Sequence, residues 1–187
     1  MTEPHLIVVA GPPAAGKTTL ARQIAAALRL PLICKDTIKE VLCDCLGVRD
    51  RAWSRQLGHA VIQCMYALAE DILHAGASVV LESTFNHPDT PAELRALLCR
   101  ANARLSVVYC YATPEVLSAR FNARAAAERH PGHQDPATTT PEAFSVDGTL
   151  RRPDYPGKVI PVDTSDLPVS LDSILEQLGT STPPHRF

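Results

Sequence analysis

Short apolar runs alternate along the chain with longer stretches in which apolar residues recur every three or four positions. The first run, His5–Ala10, is rich in β-branched residues, which is typical of a buried β-strand. It is followed by Leu20, Ile24, Ala27 and Leu28 at the spacing of one helix face. These patterns predict a strand and then an amphipathic helix.

The same alternation continues through the rest of the sequence. The further predicted strands are Pro31–Cys34, Ala77–Leu81, Leu105–Cys110 and Lys158–Val162. The further predicted helices begin near Asp36, Trp53, Thr90, Thr113 and Leu171. The buried stripe predicted for the long helix that begins near Trp53 consists of Trp53, Leu57, Val61, Cys64, Leu68 and Ile72.

Strands that alternate with helices indicate an α/β fold, in which helices cover both faces of a parallel sheet. A length of 187 residues is sufficient for one core, and we expect a single domain over residues 1–187. Ligands of such folds bind at the carboxyl ends of the strands. This rule brings Asp36, Glu82 and the residues after Tyr111 to one edge of the sheet.

One segment lacks this periodicity. Residues 129–156 are rich in Pro, Thr, His and Arg, and an irregular insert of this length is usually a lid, a binding loop or disordered. Because an arginine-bearing helix precedes it, we favour a lid that covers about residues 120–156, with disorder as the alternative. We expect residues 179–187 to form a flexible tail.

A glycine-bearing motif lies between the first predicted strand and helix. The segment Gly11–Thr18 reads G-x-x-x-x-G-K-T, which in this context is typical of a phosphate-binding loop. Glycines allow close approach of the backbone to phosphate, Lys17 would reach the β- and γ-phosphate oxygens, and Thr18 would bind Mg²⁺. The alternative, a simple turn with an exposed lysine, does not explain the flanking elements. The loop residues expected to bind nucleotide are Gly11, Pro13, Ala14, Ala15, Gly16, Lys17, Thr18 and Thr19.

Composition narrows the class of protein. Hydrophobic residues make up 45% of the chain and charged residues 20%, and the formal net charge is -2. This balance makes nucleic acid an unlikely partner overall, although a local basic groove is compatible with it. No apolar run has the length needed to span a bilayer, and none of the six cysteines forms a C-x-x-C pair. We therefore expect a cytoplasmic protein. The phosphate-binding motif predicts ATP and Mg²⁺ as its cofactors.

Carboxylates follow two of the predicted strands. Asp36 would accept a proton from an attacking hydroxyl, or would only cap its helix. Glu82 would hold Mg²⁺ through water, or would point to solvent at the end of its strand. Lys39 would complement an anionic substrate or be solvated, and Thr84 and Asn86 lie in a polar loop suited to binding a substrate.

Basic residues precede and enter the irregular segment. Arg120 and Arg124 share a helix face and would contact nucleotide and neutralise charge in the transition state, or would form a solvated basic face. For Arg129 and His130 a substrate or phosphate contact is more plausible than a metal site, because His130 and His133 lie in an irregular loop.

Four segments together resemble the P-loop kinases of the AAA_33 type, a group near polynucleotide kinase, zeta toxin and chloramphenicol phosphotransferase. The segments are Gly11–Thr19, Lys35–Glu40, Val79–Asn86 and Arg120–Arg124. The resemblance implies a P-loop fold of three α/β/α layers, with a five-stranded parallel sheet of order 2-3-1-4-5. It also implies that Asp36 activates the acceptor hydroxyl, that Arg120 and Arg124 are lid arginines, and that Thr164 lies in a loop near the adenine.

One departure from this pattern concerns Glu82–Asn86. Relatives often carry Asp-x-Thr-Asn there, so this chain has one residue more before Asn86. The resulting hypothesis is an ATP-dependent kinase that phosphorylates a hydroxyl of a small molecule, with Asp36 as base. The alternatives are a polynucleotide or nucleotide-sugar kinase and an NTP-driven switch or ATPase.

Overall fold

A five-stranded parallel sheet with the order β2-β3-β1-β4-β5 forms the centre of the protein. The structure is a computed structural model that describes residues 3–127, 129–134, 136, 138–144 and 152–179. The strands are β1 His5–Ala10, β2 Leu32–Cys34, β3 Val79–Glu82, β4 Arg104–Tyr111 and β5 Lys158–Asp163. The strand order 2-3-1-4-5 implied by the resemblance is confirmed.

Six helices cover the sheet in the described part of the chain. They are α1 Lys17–Leu28, α2 Lys35–Leu46, α3 Arg51–His74, α4 Thr90–Ala101, α5 Pro114–Ala126 and α6 Leu171–Leu178. Helices α1, α5 and α6 pack on one face of the sheet, and α2, α3 and α4 pack on the other. The three-layer α/β/α architecture is therefore also confirmed.

The central strand shows why its sequence is apolar without interruption. Ile7 and Val9 project into the core that contains α1, whereas Leu6 and Val8 project into the core that contains α3. Successive side chains of a strand point to opposite faces, and here both faces are covered. All four side chains are fully buried.

The register of the strands determines which residues meet at the carboxyl edge. Val9 of β1 pairs with Glu82 of β3, and Glu82 pairs in turn with Cys34 of β2. The connections that follow these three strands therefore leave the sheet side by side. Gly11 N donates to Thr84 O at 3.4 Å, which joins two of these connections directly.

The buried face of α3 differs from the predicted stripe. Cys64 and Leu68 are exposed, whereas Met65, Ala69 and Leu73 are buried. The error arises because small residues occupy the N-terminal part of the buried face and allow close packing there, so that side-chain size is a poor guide to orientation. The buried residues of this helix are Ser54, Gly58, Val61, Met65, Tyr66, Ala69 and Leu73.

The irregular segment contains two short 3₁₀ turns, Pro131–His133 and Pro141–Phe144. Thr139 N donates to Asn122 Oδ1 at 2.8 Å, and Thr139 O accepts from Asn122 Nδ2 at 3.0 Å, so this stretch is tied to α5. Of the predicted lid, residues 128, 135, 137 and 145–151 lie outside the described residues, and of the predicted tail only Gly179 is described. None of the described helices is both long and apolar enough to cross a bilayer.

Two glycines in the connection between β1 and α1 differ in their surroundings, and this difference provides a test of the fold. Gly11 has φ 138°, and a Cβ added to it would lie 2.1 Å from Cys110 O of β4. Gly16 has φ 72°, and no described atom lies within 4 Å of the corresponding position. We expect Gly11→Ala to lower the free energy of unfolding by about 1–3 kcal/mol more than Gly16→Ala, because only the former adds a clash to the backbone strain.

Urea unfolding of the two variants and the wild type measures this difference. Gly16→Ala is the matched control, since it imposes the same side chain on a positive φ without the contact to β4. Equal stability of the two variants would contradict the close packing of Gly11 against Cys110.

Candidate active site

The connection between β1 and α1 forms a loop that exposes the N-terminus of α1. Ala14 and Gly16 both have left-handed backbone conformations, with φ 65° and 72°. The N-cap residue of α1 is Gly16, which has no side chain to accept a hydrogen bond from the first N–H groups of the helix. Unpaired N–H groups and the helix dipole make such a terminus a site for anions such as phosphate.

Lys17 and Thr18 at the start of α1 have defined partners. Lys17 is buried, and its Nζ donates to Pro12 O at 2.7 Å. Thr18 Oγ1 donates to Glu82 Oε2 at 3.3 Å. The Glu82 side chain therefore points to the loop, and the interpretation that it faces solvent is wrong.

Burial and opposite charge together control the ionisation of Lys17 and Glu82. Burial lowers the pKa of Lys17, and the negative charge of Glu82 opposes that shift. Burial raises the pKa of Glu82, and the positive charge of Lys17 opposes that shift in turn. A hydroxyl and a carboxylate oxygen in contact beside a phosphate-binding loop are ligands that suit Mg²⁺. Thr18 and Glu82 therefore fit a magnesium ion.

Asp36 lies in the first turn of α2, directly after β2. The N-cap of α2 is Cys34, and no side chain caps the helix, so Asp36 does not serve as its cap. Its carboxylate is half-exposed, with Oδ2 3.9 Å from Arg129 Nη2 and Oδ1 4.0 Å from His133 Nδ1. Asp36 also lines a cavity of about 190 Å³ together with Lys17, Thr18 and Glu82.

Arg120 and Arg124 project from α5 toward the loop and do not form a solvated face. Arg120 Nη2 donates to Ser165 O at 3.2 Å, whereas its Nη1 is buried and has no hydrogen-bond partner in the described residues. The Arg124 guanidinium lies 5.5 Å from the centre of the Phe121 ring. A buried N–H without a partner beside the phosphate-binding loop fits an anionic ligand. The two arginines line a cavity of about 290 Å³ with Ala14, Gly16, Lys17, Thr18 and Thr19.

Thr164, which follows β5, contacts the backbone of the phosphate-binding loop. It is buried, and its Oγ1 lies 3.2 Å from Ala15 O and 2.9 Å from Tyr111 O, with the hydroxyl as donor. The side chain thus links the end of β5 to the loop. In this position Thr164 supports the loop backbone.

The sequence-predicted substrate residues line adjoining cavities. Lys39, Thr84 and Asn86 line a cavity of about 800 Å³. Arg129 and His130 line another cavity with Asp36, and Arg129 also lines the 190 Å³ cavity together with Lys39 and Thr84. His130 Nδ1 accepts a hydrogen bond from Gly132 N, so its Nε2 is the atom that donates to Asp44 Oδ1 at 3.0 Å.

The sequence did not assign a role to several residues at the site. His133 Nε2 donates to Glu40 Oε1 at 2.6 Å, and burial lowers the pKa of this imidazole while the hydrogen bond to Glu40 opposes the shift. Ser83 is buried, and its Oγ has no hydrogen-bond partner in the part of the chain that the structure describes. Arg51 and Arg55 are exposed and line the 800 Å³ cavity. Their four-residue spacing predicts that they share a helix face, but it does not indicate what that face contacts.

The three cavities adjoin one another through shared residues. The residues common to the 290 Å³ and 190 Å³ cavities are Lys17, Thr18 and Arg124. The residues common to the 190 Å³ and 800 Å³ cavities are Lys35, Lys39, Ser83, Thr84 and His133. The 190 Å³ cavity, which Asp36 lines, therefore adjoins both the cavity at the phosphate-binding loop and the 800 Å³ cavity, whose lining comes from α2, α3 and the connection after β3.

Comparisons with known proteins agree with this architecture. The profile of the AAA_33 family, described as an AAA domain, matches residues 6–140. Uncharacterised proteins of Mycobacterium tuberculosis H37Rv and Mycobacterium bovis are 34% identical over 128 residues, which is 65% of this chain and 26% of each relative. The chain thus spans about a quarter of the length of these curated relatives.

Solved structures share the fold over nearly the whole chain. A proposed kinase from Chloroflexus aurantiacus J-10-fl is 36% identical, with a TM-score of 0.86 over 95% of this chain and 98% of that one. A gluconokinase from Sinorhizobium meliloti 1021 is 19% identical (TM-score 0.55, 95% and 91% covered). The APS kinase of Mycobacterium tuberculosis, solved with AMPPNP and APS, is 15% identical (TM-score 0.62, 95% and 96% covered). From its profile match, its phosphate-binding loop and its strand order, the chain belongs to the AAA_33 family and has the fold of a P-loop kinase.

Proposed function

We propose that the protein is an ATP-dependent kinase that transfers the γ-phosphoryl group to a hydroxyl of a small-molecule acceptor. The observation that carries this proposal is that the 190 Å³ cavity, which Asp36 lines, shares residues with the cavity at the phosphate-binding loop on one side and with the 800 Å³ cavity on the other. A cavity of that volume is in the range of small-molecule sites. An NTP-driven switch would need no such space for an acceptor.

The cationic groups at the nucleotide side have separate tasks in this proposal. Lys17 and the N-terminus of α1 bind the phosphate chain, since both are directed at the loop. Arg120 and Arg124 neutralise charge that develops during transfer, and the unpartnered Nη1 of Arg120 is available to do so. Mg²⁺, held by Thr18 and by Glu82, would shield the negative charge of the phosphate oxygens.

Asp36 is the proposed general base. In the reaction the bond between the γ-phosphorus and its bridging oxygen breaks, the acceptor oxygen bonds to phosphorus, and Asp36 takes the hydroxyl proton while ADP leaves. A half-exposed carboxylate that lines the same cavity as Lys17 is suited to this role. Arg129 and His133, both near Asp36, would keep its carboxylate oriented.

The segment of about residues 120–156 is the proposed lid. Its described residues contact α2 through two hydrogen bonds, from His130 to Asp44 and from His133 to Glu40. These contacts hold the segment beside Asp36, where it would keep water away from the γ-phosphoryl group. Exclusion of water matters because water competes with the acceptor.

The role of Asp36 can be tested by Asp36→Asn. We expect kcat to fall by about 10²–10⁴-fold, because the amide cannot take a proton, while the KM for Mg·ATP changes little. Asp71→Asn, on the exposed side of α3, is the matched control and should behave as wild type. The measurement is acceptor-dependent ADP formation, and near-normal turnover of Asp36→Asn would remove Asp36 from the mechanism.

The role of Glu82 can be tested by Glu82→Gln, which preserves volume and removes the charge. We expect the Mg²⁺ concentration needed for half-maximal activity to rise about 10–100-fold, since the contact with Thr18 loses its anionic partner. A Mg²⁺ titration at fixed nucleotide measures the change, and Glu82→Asp should recover part of the affinity. An unaltered Mg²⁺ requirement in Glu82→Gln would show that Glu82 does not serve the metal.

A further inference from the structure

The 800 Å³ cavity adjoins the 190 Å³ cavity that Asp36 lines, and its lining carries an excess of positive charge. Four cationic side chains, those of Lys35, Lys39, Arg51 and Arg55, line it against one described carboxylate, Glu93. The chain as a whole carries a formal net charge of -2. Positive charge is therefore concentrated here against the balance of the whole protein.

Three of these cations have no partner among the residues that the structure describes. Within the described residues, the side chains of Lys35, Arg51 and Arg55 form no hydrogen bond or ion pair. The one carboxylate among the described lining residues, Glu93, has a different partner: its Oε1 accepts a hydrogen bond from Gln63 Nε2 at 2.9 Å. Unpaired arginines along a concave surface are groups that bind carboxylate, phosphate or sulfate through two parallel hydrogen bonds.

The helix α3 brings these cations to the same wall of the cavity. Arg51, Arg55 and Gly58 share one face of the helix, at positions i, i+4 and i+7. A Cβ added to Gly58 would lie 3.6 Å from Lys35 Nζ, which is an ordinary contact distance. The Lys35 ammonium therefore lies against α3 and lines the same cavity as the two arginines.

Other groups line the part of the cavity that adjoins the 190 Å³ cavity, which Lys35 also lines. Lys39 is buried, and its Nζ donates to Ser54 Oγ at 2.8 Å, while Ser54 Oγ donates to Gly132 O at 3.1 Å. Burial lowers the pKa of Lys39. The buried Ser83, whose Oγ has no described partner, also lines this part of the cavity. This part offers groups that hydrogen-bond a neutral hydroxyl.

We propose that the acceptor is a small hydroxylated anion, in which a carboxylate, phosphate or sulfate group is bound by Arg51 and Arg55, with Lys35 as a third cation of the lining, while the reacting hydroxyl lies near Ser83. This inference rests on the proposed kinase function and specifies its substrate class. The anionic group remains unchanged, and the hydroxyl oxygen accepts the phosphoryl group and loses its proton to Asp36. A volume of about 800 Å³ suits a small molecule, and a formal net charge of -2 lacks the basic excess that is typical of proteins that bind a nucleic-acid strand.

The experiment compares pairs of compounds that differ by an anionic group. The pairs are D-gluconate and D-glucose, D-glycerate and glycerol, and D-ribose 5-phosphate and D-ribose, with a 5′-hydroxyl oligonucleotide as a separate arm. Thermal stabilisation of the wild-type protein loaded with Mg·AMP-PNP reports binding, and ADP formation with Mg·ATP reports transfer. We expect the anionic member to stabilise the protein more than its neutral partner in at least one pair, and to be the better acceptor.

The double variant R51Q/R55Q tests the cations themselves. We expect the concentration of the anionic compound needed for half-maximal stabilisation to rise roughly 10- to 100-fold, because two charged hydrogen-bond donors are lost. The affinity for Mg·AMP-PNP should be unchanged. Arg95→Gln, an exposed arginine of α4 outside this lining, is the matched control and should behave as wild type.

Each outcome separates this inference from the proposed function. Anionic selectivity that is lost in R51Q/R55Q supports the inference, and it does so even if none of the compounds is phosphorylated, a result that would count against the kinase proposal alone. The inference is overturned if no pair shows a preference for its anionic member, if R51Q/R55Q retains the preference, or if the oligonucleotide is the preferred acceptor. Transfer to a neutral acceptor would overturn it while leaving the kinase proposal intact.

Discussion

The register of the three strands β2, β3 and β1 is the constraint on which the rest of the site depends. Cys34, Glu82 and Val9 lie in one row across the sheet, so the connections that follow them begin at neighbouring points of one edge. This places residues from three distant parts of the sequence around one cavity of about 190 Å³. A shift of one strand by a single residue would turn its side chains to the other face and separate these groups.

Buried charge at this edge is tolerated because opposite charges meet there. An isolated buried ammonium or carboxylate is costly, but Lys17 and Glu82 reduce the cost for each other, and Thr18 and Pro12 supply hydrogen bonds. Arg120 keeps one buried N–H without a partner in the described chain. Lys17 and Arg120 are thus held in a fixed arrangement beside the loop, which reduces the reorganisation required when an anion binds.

Much of the architecture is predictable from sequence because it depends on local patterns. Short apolar runs identified all five strands, and the strand-loop-helix context identified the phosphate-binding loop. The buried face of α3 was not predictable, since small residues such as Gly58 and Ala69 carry little hydrophobic signal yet permit close packing. The contacts of His133 with Glu40, and the orientation of Arg51, depend on how α2, α3 and the irregular segment pack together, which no local pattern encodes.

The central claim is that the loop around Lys17 binds a magnesium-bound nucleoside triphosphate. Calorimetric titration of Mg·AMP-PNP into the wild-type protein and into Lys17→Met tests it most directly. We expect one binding site per chain in the wild type and at least about a tenfold loss of affinity in the variant, because a buried charged hydrogen-bond donor is removed. Absence of binding to the folded wild-type protein, or equal affinity in the two proteins, would contradict the claim.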